Sequence, residues 1–426
     1  MGYALCAKVN PSGTAGSTTV QYSGIVGGAA FAGSAAESQT GFQVSDAGTF
    51  SNLTLFLNAT GTGRTCRFRT AITLGSSSNG NQVVTPTDTT AGVYTDAAHT
   101  DSVSANNFVN YSFIQTTGAA TVSWIATLFK ASSGHVCYYA CESQAGMSTS
   151  TASATGYLWV CGVPSTTSPS TESIHQQGVR TGTTGSPSTW KYLQVQISAN
   201  RATTTTIRSR KNTANGNQVV SITGGAAAGI FIDTSNTDSI SNNTPDLINY
   251  SYSTLTGSDT LTIISIGSAI ASGIANTNDL FSSATASIYT RTAAGQTNYL
   301  PITGNWGVPP ATEDNTTAIR HQFPAILSHM RIFQSATNTV SGGSMTCQLR
   351  LNLTTNGAQS FTIGAGAAAG TYEDSSNTDT IAAGTDVAMS ISGGTSGSAV
   401  FRSGGIVEQD NSPIPIFANA GSVIFI

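Results

Sequence analysis

The stretch that decides the fold is "GIFIDTSNTDSI", Gly229 to Ile240, an apolar strand running into a cluster of Asp, Thr, Ser and Asn. It recurs as "GVYTDAAHTDSV" at 92–103 and as "GTYEDSSNTDTI" at 370–381. The first Asp of each copy falls at 96, 233 and 374, which gives periods of 137 and 141 residues. An interval of that size is a domain able to bury its own core.

The repetition extends on both sides. Upstream lie "NGNQVV" at 79–84 and 215–220 and "NGAQSF" at 356–361. Further upstream, Leu53, Leu55 and Leu57 alternate with polar or outward positions. Leu193, Val195 and Ile197 do the same, as do Met330 and Ile332. Period-two alternation marks a strand with one face buried. Downstream come "VNYSF", "LINYSYS" and "VAMSIS", and then "TVSWIATLF", "TLTIISIG" and "AVFRSG". Each copy therefore holds six or seven short strands divided by Gly, Asn, Asp and Ser, with no helical period. The fold expected is all-β, three tandem antiparallel β-sandwich (jelly-roll-like) domains. The Asn-Gly pairs read as hairpin turns, because both residues accept positive φ.

Aligning Tyr157 and Tyr299 with Tyr3 sets the units at 1–156, 157–298 and 299–426. The first is then about twelve residues longer, and "SSGHVCYYACESQAG" at 132–146 reads as its inserted hairpin. The apolar end "IPIFANAGSVIFI", 414–426, reads as a last strand or as one that pairs with a neighbour's edge.

Only 8% of the residues are charged, with net charge -4 and pI about 5.7. Nothing here attracts a phosphate backbone, so no nucleic-acid partner is expected. Disorder is excluded by 16 Phe, 13 Tyr and 4 Trp among many β-branched residues. No apolar run approaches the ~18 residues of a membrane span, and no membrane partner is expected. The N-terminus lacks the pattern of a secretory signal.

The Asp/Asn cluster raises a metal question. Asp233, Asn236 and Asp238, with Asp374, Asn377 and Asp379, place oxygens at a D-x-x-N-x-D spacing, and His99 replaces the amide in the first copy. Calcium takes six to eight oxygens, more than two carboxylates and an amide supply. Asp and Asn also cap nearby backbone N–H groups in turns, and that reading is preferred. His135, Cys137 and Cys141 supply three of a zinc site's four ligands, and no fourth is evident. Cys66 and Cys347 occupy equivalent positions and read as core residues.

Trp159, Trp190, Trp306, Tyr138 and Tyr139 could stack on sugars if exposed. Trp190 aligns with Phe50 and Leu327, which points to the core; Trp306 lies in a Gly/Pro segment and is the better glycan candidate. His99, His135, His175, His321 and His329 are scattered, and Glu172 and Glu313 stand alone. No nucleophile elbow, metal-binding helix or phosphate loop appears, so neither catalysis nor a cofactor is expected.

The succession "AGTFSNL", "NGNQVV", the Asp/Asn stretch and "INYS" resembles repeats in structural proteins of tailed phages and related environmental viral sequences. The similarity touches all three copies. It implies a non-enzymatic virion protein in capsid decoration or a head fibre. Its partners would be the major capsid protein or neck and tail proteins, it would form a homo-oligomer with a trimer favoured, and host lysis would release it. The alternatives are a tail fibre that binds a receptor, and a cell-surface filament or adhesin subunit joined through the C-terminal strand. A carbohydrate-active enzyme or lectin built on Trp306 is a further class.

Overall fold

The structure is a computed structural model that describes residues 4–410. Outside the description, apart from both ends, lie 10–19, 27–36, 38–39, 58–61, 72–77, 87–89, 118–121, 149–154, 162–170, 181–186, 200–201, 242–243, 254–260, 274–276, 285–287, 292–295, 301, 303, 307–310, 312, 314–317 and 321–323.

The first unit comprises β1 (Ala4–Val9), β2 (Gln21–Ser23), β3 (Phe42–Gln43), β4 (Gly48–Leu57), β5 (Thr62–Ala71), β6 (Ser78–Val84), β7 (Gly92–Val103), β8 (Phe108–Thr117) and β9 (Val122–Ala131). One sheet runs β1-β9-β4-β7 and the other β2-β8-β5-β6, with β3 also on β8. The second unit has β10 (Val136–Ser148), β11 (Gly156–Leu158), β12 (Gln177–Val179), β13 (Ser188–Ala199), β14 (Thr205–Lys211), β15 (Ala214–Ile222), β16 (Gly229–Ile232), β17 (Thr237–Ile240), β18 (Asp246–Tyr252) and β19 (Thr262–Ala271). Its sheets run β10-β19-β13-β16, with β17 on β13, and β11-β18-β14-β15, with β12 on β18.

The third unit has β20 (Thr277–Ala284), β21 (Ile288–Arg291), β22 (Asn298–Leu300), β23 (Gly304–Trp306), β24 (Ile319–Arg320), β25 (Ala325–Gln334), β26 (Met345–Leu351), β27 (Thr355–Ile363), β28 (Gly370–Ile381), β29 (Asp386–Gly393) and β30 (Gly397–Asp410). Its sheets run β23-β20-β30-β25-β28 and β22-β29-β26-β27, with β21 on β30 and β24 on β29. The all-β sandwich architecture is as the alternation predicts. Among the described residues no helix is long and apolar enough to cross a membrane.

The apolar positions turn inward as expected: Leu53, Leu55, Leu57, Leu193, Val195, Ile197, Met330 and Ile332 are all buried. Alternation breaks once in each of these strands. Between Phe50 and Leu53, Trp190 and Leu193, and Leu327 and Met330, two residues stand where one would suffice. The extra residue forms a bulge with positive φ: 49° at Asn52, 65° at Tyr192 and 53° at His329. Pairing shifts register at the same places. A bulge bends the strand and re-aims a side chain, and here it brings the next apolar residue back to the core.

Strand pairing differs from the sequence-based boundaries. β10 precedes Tyr157 yet pairs with β19 from Val136↔Ala271 to Ser148↔Thr262, and β20 precedes Tyr299 yet pairs with β30. The segment 132–146, read as an insert of the first unit, carries the edge strand of a second-unit sheet. Tyr157 and Tyr299 correspond to Tyr22 rather than Tyr3, since each lies in the short strand beside β8, β18 or β29. The Arg69, Arg210 and Arg350 guanidinium groups lie over these three rings at 5.4, 5.8 and 5.9 Å. The C-terminal segment 414–426 lies outside the described residues.

The three units close on one another. β1 lies beside β10 and also beside β23, so edges of one sheet from each unit converge. β3 of the first unit packs toward β13 of the second, where the Gln194 amide donates to Gln43 O at 3.0 Å and accepts from Gln43 N at 3.1 Å. β12 of the second unit packs on β25 and β30 of the third; Gly178 N donates to Ser403 Oγ at 3.1 Å, and Arg331 donates twice to Gly178 O at 3.2 Å. In the first unit the matching outer face of β4, with Ser51, Thr54 and Phe56, is buried too. The arrangement is a pseudo-threefold cluster, not a row.

Candidate functional site

The repeated Asp/Asn stretch forms the same polar clasp in each unit. Asp233 Oδ2 accepts Val219 N at 2.7 Å, while Oδ1 accepts the N–H groups of Ser235 and Asn236, both at 3.0 Å. Asn236 Nδ2 adds a donor 2.9 Å from Oδ2. Asp374 repeats this with Ser360 N at 2.7 Å, Ser376 N and Asn377 N at 3.0 Å, and Asn377 Nδ2 at 2.8 Å. In the first unit Asp96 takes Val83 N at 2.7 Å and the His99 ring replaces the amide, its Nδ1 2.9 Å from Oδ2. Burial pushes all three carboxyls up, yet the N–H donors outweigh it and hold them below their ordinary range.

The second Asp of the stretch completes the clasp. Asp101, Asp238 and Asp379 accept Asn81 N, Asn217 N and Ala358 N, each at 2.6 Å. They also hold the side-chain amides of Gln82, Gln218 and Gln359 at 3.0, 3.1 and 3.3 Å. Each Gln in turn accepts the backbone N–H just past the bulge: Leu53 at 2.9 Å, Leu193 at 3.0 Å and Met330 at 2.8 Å. All three Gln side chains are fully buried.

The physical purpose is edge closure. β6, β15 and β27 end their sheets and would present unpaired N–H groups to any passing strand. The carboxylates of β7, of β17 and the segment before it, and of β28 occupy those donors and stitch the two sheets of each sandwich together. Charge-assisted bonds of this kind are about twice as strong as neutral ones. Of the cation candidates Asp233, Asn236, Asp238, Asp374, Asn377 and Asp379, the Asn amides donate to Asp and the Asp oxygens accept N–H groups. A cation would have to displace those donors, so the geometry is that of a strand clasp.

The Asn-Gly pairs do not form the hairpin turns, contrary to the sequence reading. The β14–β15 turn is Asn212–Thr213, with φ of 50° and 70°, and the β26–β27 turn is Asn352–Leu353, with 51° and 63°. Asn-Gly instead opens a bulge in β6, β15 and β27, where register shifts opposite Arg69, Arg210 and Arg350. Glycine is needed there for room: a Cβ on Gly80, Gly216 or Gly357 would lie 2.7, 2.7 or 2.8 Å from an Asp101, Asp238 or Asp379 oxygen.

A second triplicated device was missed in the sequence. Glu37, Glu172 and Glu313 form ion pairs with Arg69, Arg210 and Arg350 at 2.6, 2.8 and 2.7 Å. The same guanidinium groups donate to Asn79, Asn215 and Asn356. Glu172 and Glu313 are therefore not isolated carboxylates. The recurring Glu in "AES", "TES" and "TED" was the available signal.

The remaining candidates have structural settings. Trp190 is buried, as its alignment with Phe50 and Leu327 predicts, and its Nε1 donates to Ser268 Oγ at 2.7 Å, which also accepts from Tyr250 Oη at 2.6 Å. Trp159, Tyr138 and Tyr139 are buried and not displayed for sugars; the Trp159 ring lies 4.9 Å from that of His175. Trp306 ends the short strand β23, and its side chain lies outside the described residues. Cys66 and Cys347 are buried, and burial pushes both thiols up. His135, Cys137 and Cys141 are buried at and along β10. His99 belongs to the clasp and His329 to the seam between the second and third units. His321 lies outside the described residues.

The geometry can bind and brace. Among the described residues, the clasp carboxylates are held by N–H donors, and Glu37, Glu172, Glu313 and Glu373 by guanidinium groups. Compared with known proteins, the chain matches no family model and no curated protein sequence.

Proposed function

We propose that the chain is a non-enzymatic structural protein of a virion surface, in capsid decoration or at the base of a head fibre. The observation that carries this reading is the closed pseudo-threefold cluster of three sandwiches in one chain. Such a body matches a threefold or pseudo-threefold partner surface with one polypeptide. The polar but nearly uncharged composition suits a partner met through shape and hydrogen bonds. The triplicated clasps favour a body that persists without strand exchange between copies.

In this reading the partners are the major capsid protein or neck proteins, and the chain reaches the outside by lysis. Quantitative mass spectrometry on purified particles tests it. On the order of hundreds of copies per particle, in simple ratio to the shell protein, is expected for decoration; a handful would mean a head or tail fibre. Absence from particles, with recovery from a cell-surface fraction, would overturn it in favour of a filament or adhesin subunit.

A further inference from the structure

The seam between the first and second units and the seam between the second and third are built on the same backbone plan with opposite chemistry. The seam between the first and second units is largely neutral. The Gln194 amide pairs with the Gln43 backbone, the Phe42 ring lies 5.4 Å from that of Tyr138, and Tyr192 at the bulge donates to Asn106. Among the described residues its ion pair is Lys191 with Asp46 at 3.0 Å, more than a fifth exposed on both sides.

At the seam between the second and third units, Arg331 stands where Gln194 stood and His329 occupies the bulge of Tyr192. Arg331 is 1% exposed, and both its Nε and Nη2 donate to Gly178 O. Glu373, on the strand beside β25, accepts from Arg180 Nη1 across the seam and from His329 Nδ1 within its own unit, each at 2.5 Å. Four titratable groups therefore face one another with little water: Arg180 beyond β12, His329 and Arg331 on β25, and Glu373 on β28. Glu408 of β30 is paired with Leu327 and so lies on the core face of that sheet.

We propose that this seam is an acid-operated latch, in which protonation of Glu373 releases the second unit from the third while the neutral seam stays shut. With Glu373 ionised, its carboxylate pairs with Arg180 across the seam and faces Arg331 on the neighbouring strand. Once it is protonated, Arg180 loses the carboxylate that ties it to the third unit, and Arg331 loses a facing charge. Burial pushes the Glu373 carboxyl up, but the His329 hydrogen bond and the charges of Arg180, Arg331 and His329 outweigh it and hold the carboxyl below its ordinary range. A carboxyl depressed in the closed seam returns to its ordinary value when the seam parts. The seam's stabilisation is therefore full above the ordinary Glu range and is lost as pH falls through the depressed value.

Each seam carries its own reporter amide. Gly178 N donates across the acidic seam to Ser403 Oγ, and Gln43 N donates across the neutral one to Gln194 Oε1. Hydrogen exchange on the full chain, corrected for intrinsic rates, reads both in one experiment. Between pH 7 and about pH 3.5, roughly one unit below the ordinary Glu value, protection at Gly178 should fall severalfold, up to about tenfold, while Gln43 keeps its protection. Glu373→Gln should reproduce the Gly178 loss at pH 7. Arg180→Gln, which removes the cross-seam partner but leaves the third unit's own pair, should diminish the acid response at Gly178. The proposal is overturned if both amides lose protection together or if Gly178 stays protected in acid. An undiminished acid response in Arg180→Gln would overturn it equally.

Discussion

Replacing Asp233 by Asn tests the edge-closure argument at one atom. The carboxylate takes Val219 N on Oδ2 and two backbone N–H groups on Oδ1, and only 6% of the residue is exposed. An Asn of the same shape can turn its oxygen to Ser235 and Asn236, but then its NH2 group faces Val219 N. One charge-assisted bond is lost and one part-buried N–H is left unpaired, which costs about 1–3 kcal/mol within the second unit. The acid dependence should change as well. Because the folded Asp233 carboxyl is depressed, its stabilisation is present above its ordinary value and disappears as pH falls through the lower folded one. The variant should lack that contribution to acid unfolding. The local readout is exchange at the Val219 amide, chosen because a three-unit chain need not unfold in one step. Denaturant unfolding followed through buried Trp190 gives the wider cost. Wild-type protection at Val219, with unfolding unchanged to within about 0.5 kcal/mol, would mean that the carboxylate does not hold the edge strand.

Gly80→Ala places a methyl group 2.7 Å from Asp101, whose carboxylate is held by Asn81 N, Gln82 N and Gln82 Nε2, so it should lower stability by about 1–3 kcal/mol in thermal unfolding. Gln218→Leu leaves Leu193 N without its acceptor at the bulge and should cost about 1–3 kcal/mol, read by the same method and by exchange at Leu193. His99→Asn installs the residue of the other two copies and should be neutral to within about 0.5 kcal/mol at pH 7; a larger loss would mean that the imidazole has a task beyond the clasp.

The three sandwiches were legible in the sequence because the clasp, its Gln and the alternating strand recur at nearly constant spacing. Other features were hidden for identifiable reasons. β1, β10 and β20 occupy matching positions beside β9, β19 and β30 with "ALCAKV", "VCYYACESQAGMS" and "TNDLFSSA", which share no pattern. β1 and β10 end their sheets while β20 has β23 beyond it, so their outer neighbours differ from unit to unit. Their membership appears only in the pairing. The Asn-Gly dipeptide misled because its most frequent setting is a hairpin; here the closeness of an Asp carboxylate, 21 or 22 residues downstream, excludes any side chain. The Glu–Arg pairs were obscured by separations of 32, 38 and 37 residues and by loops of unequal length.

These pieces join into one mechanical line in each unit. The clasp Asp fixes a buried Gln, and the Gln holds the N–H that follows the bulge. The bulge then points its outer side chain: Tyr192 to Asn106 at one seam, His329 to Glu373 at the next. The inner part of this line is the same in all three units, because every sandwich must close its edges and seat its core. The outer residue is Asn52, Tyr192 or His329, and Tyr192 and His329 are free to differ because they meet different partners, Asn106 and Glu373. A chain arranged this way can keep three nearly identical bodies while giving each seam its own chemistry. That is the requirement for one polypeptide to occupy a threefold position without itself being threefold symmetric.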